Sequence, residues 1–253
     1  RFDETELSAL EGRLARFLRG SAAARRTVET EQAAVKTLIA DISHQTRTPI
    51  ANLLLYASLL SESELDPRQR EQVNALSAQA EKLSFLIKAL VKASRLEAGI
   101  VAPAPAVNPV GPLLENAVEQ EGPAALAKQI TLTADPFDGS AAFDPRWTGE
   151  ALGNVVNNAV KYTPPGGRVS VSAQLLDSFC RIDVADTGPG VPESEQAAVF
   201  NRFYRGGATR AAEGLGLGLY LAREILARQG GYIRLSSRPG EGCVFSLYLP
   251  REL

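Results

Sequence analysis

Residues 149–167 read GEALGNVVNNAVKYTPPGG, and this stretch decides how the second half of the chain folds. Its apolar spacing predicts a helix, which the PPGG segment ends. Glu150, Asn154, Asn158 and Lys161 recur at helical spacing, so they share one face. Asparagine is a poor helix former, so this stripe needs a reason. It is either a solvated face or an oxygen-rich edge that holds Mg²⁺ beside phosphates, with Lys161 neutralising their charge.

On both sides of this helix, short segments alternate apolar and polar residues in the manner of strands. They are QITLTA, GRVSVSAQLL, FCRIDVAD, GYIRLSS and CVFSLYLP. Helical patterns lie near 110–127, 145–162, 192–199 and 215–229. We therefore expect an α/β sandwich of the α+β class. Its two cysteines, Cys180 and Cys243, are expected to be small buried side chains on strands, with no disulfide.

Two apolar repeats in the first hundred residues predict a helical hairpin. Between them, SESELDPRQ breaks the pattern and places Asp66 and Pro67 at the start of the second helix. Two helices with such wide apolar faces cannot bury them alone, so we expect a homodimer that forms a four-helix bundle. The seam residues are Val35, Ile39, Ile42, Thr46, Pro49, Leu53, Tyr56 and Leu60 in the first helix, and Val73, Leu76, Ala80, Leu83, Ile87 and Leu90 in the second.

Composition divides the chain into a polar helical lead-in over 1–27, the hairpin over 28–98, a proline-rich linker over 99–109 and the α/β domain over 110–253. The formal net charge of −2 argues against a general nucleic-acid binder. The sequence contains no run of about 18 apolar residues, so it predicts no membrane span. Because the chain begins at Arg1 and contains no methionine, we expect either a piece of a longer protein, with a sensing or membrane-anchoring segment in front of it, or an altered sequence.

A strand-terminal acid followed by glycines is the first candidate ligand motif of the α/β domain. VADTGPGVP ends a strand with Asp186 and continues with Gly188 and Gly190. The carboxylate can accept a hydrogen bond from an adenine amino group, and the glycines leave room for the base. An ordinary turn is the alternative interpretation.

Two further motifs suit phosphate groups. GLGLGLYLAREI places Gly214, Gly216 and Gly218 before a helix, whose N-terminal N–H groups favour anions; a flexible loop is the alternative. VFNRFYRGG supplies Arg202 and Arg205, either of which could reach a terminal phosphate. This second segment could equally be core aromatics flanked by solvated arginines.

The chain contains one histidine, His44, within DISHQTRTPI. With Ile39 at heptad position a and Ile42 at d, His44 falls at f, on the outer face of the bundle. A neutral imidazole in that place is an accessible nucleophile near pH 7. Pro49 leaves the carbonyl of Gln45 without its intrahelical donor, so we expect the helix to bend just after the histidine.

Taken in order, these motifs resemble those of the sensor histidine kinases. SHQTRTPI is similar to the H box of that family. The Asn-rich helix, DTGPG, FNRFYR and GLGLG are similar to its N box, first glycine box, F box and second glycine box. The resemblance covers about residues 30–250. It implies a dimerisation and phosphotransfer hairpin followed by a Bergerat-type domain that binds ATP and Mg²⁺.

The resemblance also implies residue roles in nucleotide binding. Asp186 would read the adenine, Asn154 and Asn158 would hold Mg²⁺, and residues 201–215 would form a lid. Lys161 would lie near the phosphates. The nucleotide-binding residues would be Asn154, Asn158, Lys161, Tyr162, Asp186, Gly188, Gly190, Arg202, Arg205, Gly214, Gly216 and Gly218.

In the hairpin, the resemblance implies that His44 accepts the γ-phosphoryl group and passes it to an Asp of a response regulator. The family usually has Glu or Asp where this chain has Gln45, and an amide can orient an imidazole but is not a useful base. Asp41, one turn earlier, could substitute; otherwise autophosphorylation is slow. Thr48 matches the position that directs water in dephosphorylation, so we expect phosphatase activity toward the regulator.

Two rival functions stay open at this point. One is an ATPase or conformational clamp without phosphohistidine, and the other is an inactive dimeric scaffold, which Gln45 would suit. Whether one chain phosphorylates itself or its dimer mate depends on the handedness of the connection over 60–67. We expect the chain to be the cytoplasmic part of a membrane sensor that has no nucleic-acid partner.

Overall fold

The computed structural model describes residues 45, 46, 48–97, 99, 103–206 and 216–252. The chain divides into two compact units, Arg1–Ile100 and Val101–Leu253. Three of the predicted site residues, Asp41, His44 and Gly214, lie outside the described residues.

The first unit contains a helical hairpin. Helix α1 is described over 48–61, and α2 covers Pro67–Glu97. Asp66 and Gln69 form a capping box, in which Gln69 N donates to Asp66 Oδ1 at 2.7 Å and Asp66 N donates to Gln69 Oε1 at 3.0 Å. The prediction that the second helix begins at Asp66 and Pro67 is confirmed.

Large apolar side chains of the hairpin remain exposed in the single chain. Ile50 and Ala57, one heptad apart on α1, are buried, and neither belongs to the predicted seam. Seam residues such as Leu53 and Leu60 are instead about half exposed, at 45% and 50%. Among the described residues of the hairpin, the exposed large apolar residues are Leu53, Leu55, Tyr56, Leu59, Leu60, Leu76, Leu83, Phe85 and Leu90.

The second unit is an α/β sandwich, as predicted. In chain order, its elements are β1 Ala106–Pro109, α3 Gly111–Ala127, β2 Thr131–Ala134, β3 Ser140–Phe143, α4 Pro145–Tyr162, β4 Arg168–Leu175, β5 Phe179–Asp186, α5 Glu193–Gln196, α6 Gly218–Ala227, β6 Tyr232–Ser237 and β7 Cys243–Pro250. The main sheet has the order β2-β4-β5-β7-β6, and only the β2–β4 pair is parallel. One sheet face packs on the helices, since alternate residues of β4, β5 and β7 are buried.

The five predicted strands correspond to β2, β4, β5, β6 and β7. Cys180 and Cys243 are free and buried on two of them, as predicted. The small sheet β1–β3 was not predicted; Ala106↔Phe143 begins its register, and β1 lies in the segment that we assigned to the linker. Each of its strands has only four residues, too few for an alternation pattern. Among the described residues, no helix has the length and apolar character required to cross a membrane.

Helix α4 is held at its start and buried along one side. Asp144 caps it by accepting from Arg146 N and Trp147 N at 3.0 and 3.2 Å. Its buried face consists of Trp147, Thr148, Ala151, Leu152, Val155, Val156, Ala159 and Val160. Asn154 and Asn158 are half-buried at the edge of this face. The predicted asparagine stripe therefore borders the packed interior of the unit.

Candidate functional site

Asp186 ends β5 with one carboxylate oxygen held by the backbone. Its Oδ1 accepts from Gly188 N at 2.8 Å and from Cys243 N at 3.3 Å. Burial raises the pKa of Asp186, and these two N–H donors partly oppose that increase. Both bonds use Oδ1, and the described residues make no hydrogen bond to Oδ2. The carboxylate is thus oriented by the protein while its second oxygen can accept from a ligand's amino group.

The segment after Asp186 that contains Gly188 and Gly190, here called the first glycine loop, passes between the end of α4 and the turn that joins β6 to β7. A Cβ at position 188 would lie 3.3 Å from the Tyr162 carbonyl oxygen. Gly190 has φ +73°, and a Cβ there would collide with the Arg238 carbonyl. The close approach that requires glycine at 190 is therefore to the chain itself.

The β6–β7 turn supports this loop, and sequence reasoning missed it. Ser237 Oγ accepts from Val191 N at 2.8 Å and donates to Gly242 O at 2.6 Å. Gly240 N donates to Pro189 O at 2.7 Å. A signal was present, because RPGEG places two glycines between two predicted strands. This segment alone does not indicate which loop the turn would contact.

Asn154 lies directly against the N-terminus of α6. A Cβ at Gly218 would lie 3.2 Å from Asn154 Oδ1, so the predicted second glycine motif meets the predicted asparagine stripe. Lys161, at the other end of the stripe, places its Nζ 4.9 Å from the centroid of the Tyr162 ring. Asn157 points away, and its Nδ2 donates to Glu121 at 2.9 Å. The structure thus brings the asparagine helix, the Asp186 loop and the start of α6 together.

Arg202 lies against the first turn of α6. Its Nη2 donates to Tyr220 Oη at 3.0 Å, and its guanidinium carbon is 4.8 Å from the Tyr220 ring centroid. Sequence reasoning missed Tyr220, which is buried. Phe203 N donates to Gly216 O at 3.0 Å, so residues on both sides of the undescribed segment 207–215 are joined. A phosphate contact by Arg202, or by the half-buried Arg205, stays a prediction.

The donor chemistry of the stripe fits Mg²⁺. Asn154 and Asn158 offer amide oxygens, which are hard ligands, and Mg²⁺ usually completes its shell with water and substrate phosphates. The N-terminus of α6, which lies beside Asn154, is where such phosphates would be favoured, because the first N–H groups of a helix have no intrahelical acceptor. A cation could therefore be shared there by the protein and a nucleotide.

Two protein families match this chain. Residues 34–99 match the His Kinase A (phospho-acceptor) domain. Residues 143–253 match the histidine kinase-, DNA gyrase B-, and HSP90-like ATPases. The first range contains His44, and the second contains every described residue of the candidate site. The second match supports ATP as the ligand of this site.

Curated relatives show the same affiliation. The sensor protein DivL of Caulobacter vibrioides is 34% identical over 218 residues, which cover 85% of this chain and 28% of that protein. The sensor-like histidine kinase SenX3 of Mycolicibacterium smegmatis is 32% identical over 223 residues, with coverages of 87% and 58%. The histidine-protein kinase/phosphatase MprB of the same organism is 33% identical, with coverages of 78% and 41%. This chain thus spans 28 to 58% of the lengths of these relatives.

Solved structures agree with this affiliation. Full-length ShkA in complex with AMPPNP is 29% identical, with a TM-score of 0.73, and the match covers 86% of this chain and 46% of that one. A mycobacterial MprB structure is 27% identical, with a TM-score of 0.51, and the match covers 59% of this chain and 99% of that one. Both domain matches, the relatives and the fold point the same way: this chain belongs to the sensor histidine kinase family.

Proposed function

We propose that this chain is the kinase and phosphoacceptor part of a sensor protein. It binds ATP in the α/β domain, transfers the γ-phosphoryl group to His44, and passes it to an Asp of a response regulator. The observation that supports the proposal is that helix α4 contacts two glycine segments of the unit that matches the ATPase family. The loop after Asp186 approaches Tyr162 at the end of α4, and the start of α6 approaches Asn154 on the same helix.

The adenine would bind at Asp186 Oδ2, because Oδ1 is already occupied by backbone donors. The phosphates would extend along α4 toward the N-terminus of α6. Asn154 and Asn158 would hold Mg²⁺, which neutralises developing charge on the transferred phosphoryl group. Lys161, Arg202 and Arg205 would supply positive charge near the phosphates.

At the acceptor, an imidazole nitrogen of His44 would form the N–P bond as the bond from the γ-phosphorus to ADP breaks. The proton released by the imidazole needs an acceptor, and Asp41 is our candidate, because Gln45 is not a base. Gln45 and Thr48 are both exposed on the first helix, where they could direct water at the regulator's phosphoaspartate. Thr48→Ala should then reduce dephosphorylation of the regulator and leave phosphohistidine formation intact.

Dimerisation is proposed through residues 28–98. The support is the row of exposed leucines on both hairpin helices, which exceeds the scattered apolar exposure of a monomeric surface. A second copy would cover this row in a four-helix bundle. We also propose that residues 110–253 form the catalytic domain, that 1–27 and 99–109 are connecting segments, and that the chain works in the cytoplasm as part of a membrane sensor.

The test is incubation of the chain with ATP that carries a radioactive γ-phosphate. We expect a phosphoprotein that is labile in acid and stable in alkali, and His44→Gln should abolish it. ATP hydrolysis without label would favour the clamp, and loss of all nucleotide binding would favour the scaffold. A purified receiver domain added afterwards should take the label from the chain.

A further inference from the structure

Lys128 follows α3, and its ammonium donates to three backbone carbonyls at the end of α4. The Nζ–O distances are 2.8 Å to Val160, 2.7 Å to Lys161 and 2.8 Å to Thr163. The last carbonyls of a helix have no intrahelical donor and carry the negative end of its dipole. An ammonium has three protons to donate, and here all three are used.

The neighbouring residue adds to this contact. Gln129 has φ +58°, an uncommon value for a residue other than glycine, and its carbonyl accepts from Gly166 N at 3.2 Å. The two residues Lys128 and Gln129 therefore bind both the last turn of α4 and the turn that follows it. We call Lys128 and Gln129 the α4 clasp.

The α4 clasp binds the backbone of residues that belong to the candidate site or adjoin it. The carbonyl of Lys161 is one of the three that the ammonium binds, and Tyr162 lies between Lys161 and Thr163. Both Lys161 and Tyr162 were predicted to line the nucleotide site. The Tyr162 carbonyl is the group closest to position 188 after Asp186 itself. The ammonium thus binds the carbonyls on both sides of Tyr162, and the first glycine loop approaches the carbonyl of Tyr162 itself.

We propose that Lys128 is a positioning residue for nucleotide binding. By holding the last turn of α4, its ammonium keeps Lys161 and Tyr162 where the nucleotide meets them. This inference rests on the proposed function, since it requires that ATP bind along α4.

The expected effect follows from the ordering of this turn. Without the ammonium, the carbonyls of Val160, Lys161 and Thr163 would have to accept hydrogen bonds from water instead, and the last turn of α4 would fray. If a variant holds the turn ordered one tenth of the time, its apparent Kd for nucleotide rises about tenfold. Bound nucleotide restores the order, so the rate at saturating ATP should change far less than the affinity.

The experiment compares Lys128→Met with Lys82→Met in the 253-residue chain. Lys82 is exposed on α2, so it provides the same substitution in the other unit of the chain. Titration with a non-hydrolysable ATP analogue and Mg²⁺ should show a Kd about tenfold higher for Lys128→Met. Lys82→Met should bind like the parent chain.

Hydrogen exchange separates positioning from general destabilisation. In Lys128→Met, the amides of residues 160–163 and of Gly166 should exchange faster than in the parent chain and should regain protection when nucleotide saturates the site; residues 164 and 165 are prolines and have no amide hydrogen. Lys128→Arg should have an intermediate Kd, because a planar guanidinium cannot direct three donors at carbonyls grouped around one point.

Two results would overturn the inference. An unchanged Kd in Lys128→Met, with or without a lower unfolding midpoint, would reduce Lys128 to a structural residue. If Lys128→Met does not fold, Lys128→Arg and Lys128→Gln replace it, and parental Kd values in both would reject the role. Failure of the parent chain to bind the analogue would instead refute the proposed function, and this inference with it.

Discussion

The carboxylate of Asp186 allows binding and stability to be separated in one substitution. In Asp186→Asn, the amide oxygen can still accept from Gly188 N and Cys243 N, so the local backbone should be retained. The group that faces the ligand then becomes an amide N–H₂, a donor where an acceptor is required. We therefore expect nucleotide affinity to fall while the fold persists.

The magnitude follows from the lost hydrogen bond. A hydrogen bond to a charged group contributes about 1.5–3 kcal/mol, which corresponds to a roughly 10- to 150-fold increase in Kd. In the variant, the new amide N–H₂ would face the amino group of the ligand, and two opposed donors would place the increase in Kd toward the upper end of this range. Calorimetric titration of the ATP analogue, compared between Asp186→Asn and the parent chain, measures this ratio.

The free energy of unfolding of Asp186→Asn should not fall together with its nucleotide affinity. Because burial raises the pKa of Asp186, the native state binds more protons than the unfolded state over the pH range between the unfolded and the raised folded pKa. The contribution of this group to the free energy of unfolding therefore decreases as pH rises through that range. Asp186→Asn removes the titration, so at pH 7 the variant should be as stable as the parent chain or more stable.

Urea unfolding at pH 4 and pH 7 completes the test. Weaker binding together with an unfolding midpoint no lower than the parental one at pH 7 would support the reasoning. Parental affinity would show that the adenine does not bind at Asp186. A large loss of stability would show that the amide cannot replace the carboxylate at its two backbone donors.

Two further substitutions test the packing around the site. Gly242→Ala would place a Cβ against the Asp186 carbonyl, whereas a Cβ at Gly240 would meet nothing within 4 Å. Both glycines have positive φ, so Gly240→Ala is the matched control for backbone strain. In urea unfolding, Gly242→Ala should lower the free energy of unfolding by about 1–3 kcal/mol more than Gly240→Ala does. The buried side chain of Gln229 donates to and accepts from Thr148 Oγ1. Gln229→Leu should therefore lower the free energy of unfolding, followed by thermal unfolding, by about 1–3 kcal/mol, and adding Thr148→Val should restore part of the lost stability. A double variant no more stable than Gln229→Leu would contradict this explanation.

What the sequence by itself determined is the set of local features. The start of the second hairpin helix at Asp66, the amphipathic α4 with Asn154 and Asn158 on one face, and the end of β5 at Asp186 could all be predicted. Each depends on interactions between residues a few positions apart, so spacing and composition record them directly. The order of the motifs along the chain was sufficient to suggest the family and the kind of ligand.

Only the tertiary structure decided which distant segments meet. The collision that requires Gly190, the Arg202–Tyr220 bond and the hold of Lys128 on α4 join segments that lie 18 to about 48 residues apart along the chain. Most of these contacts end on backbone carbonyls, which every residue carries, so no side-chain pattern marks them in advance. Their geometry is set when the helices pack on the sheet, and the shape of the candidate site is set with it.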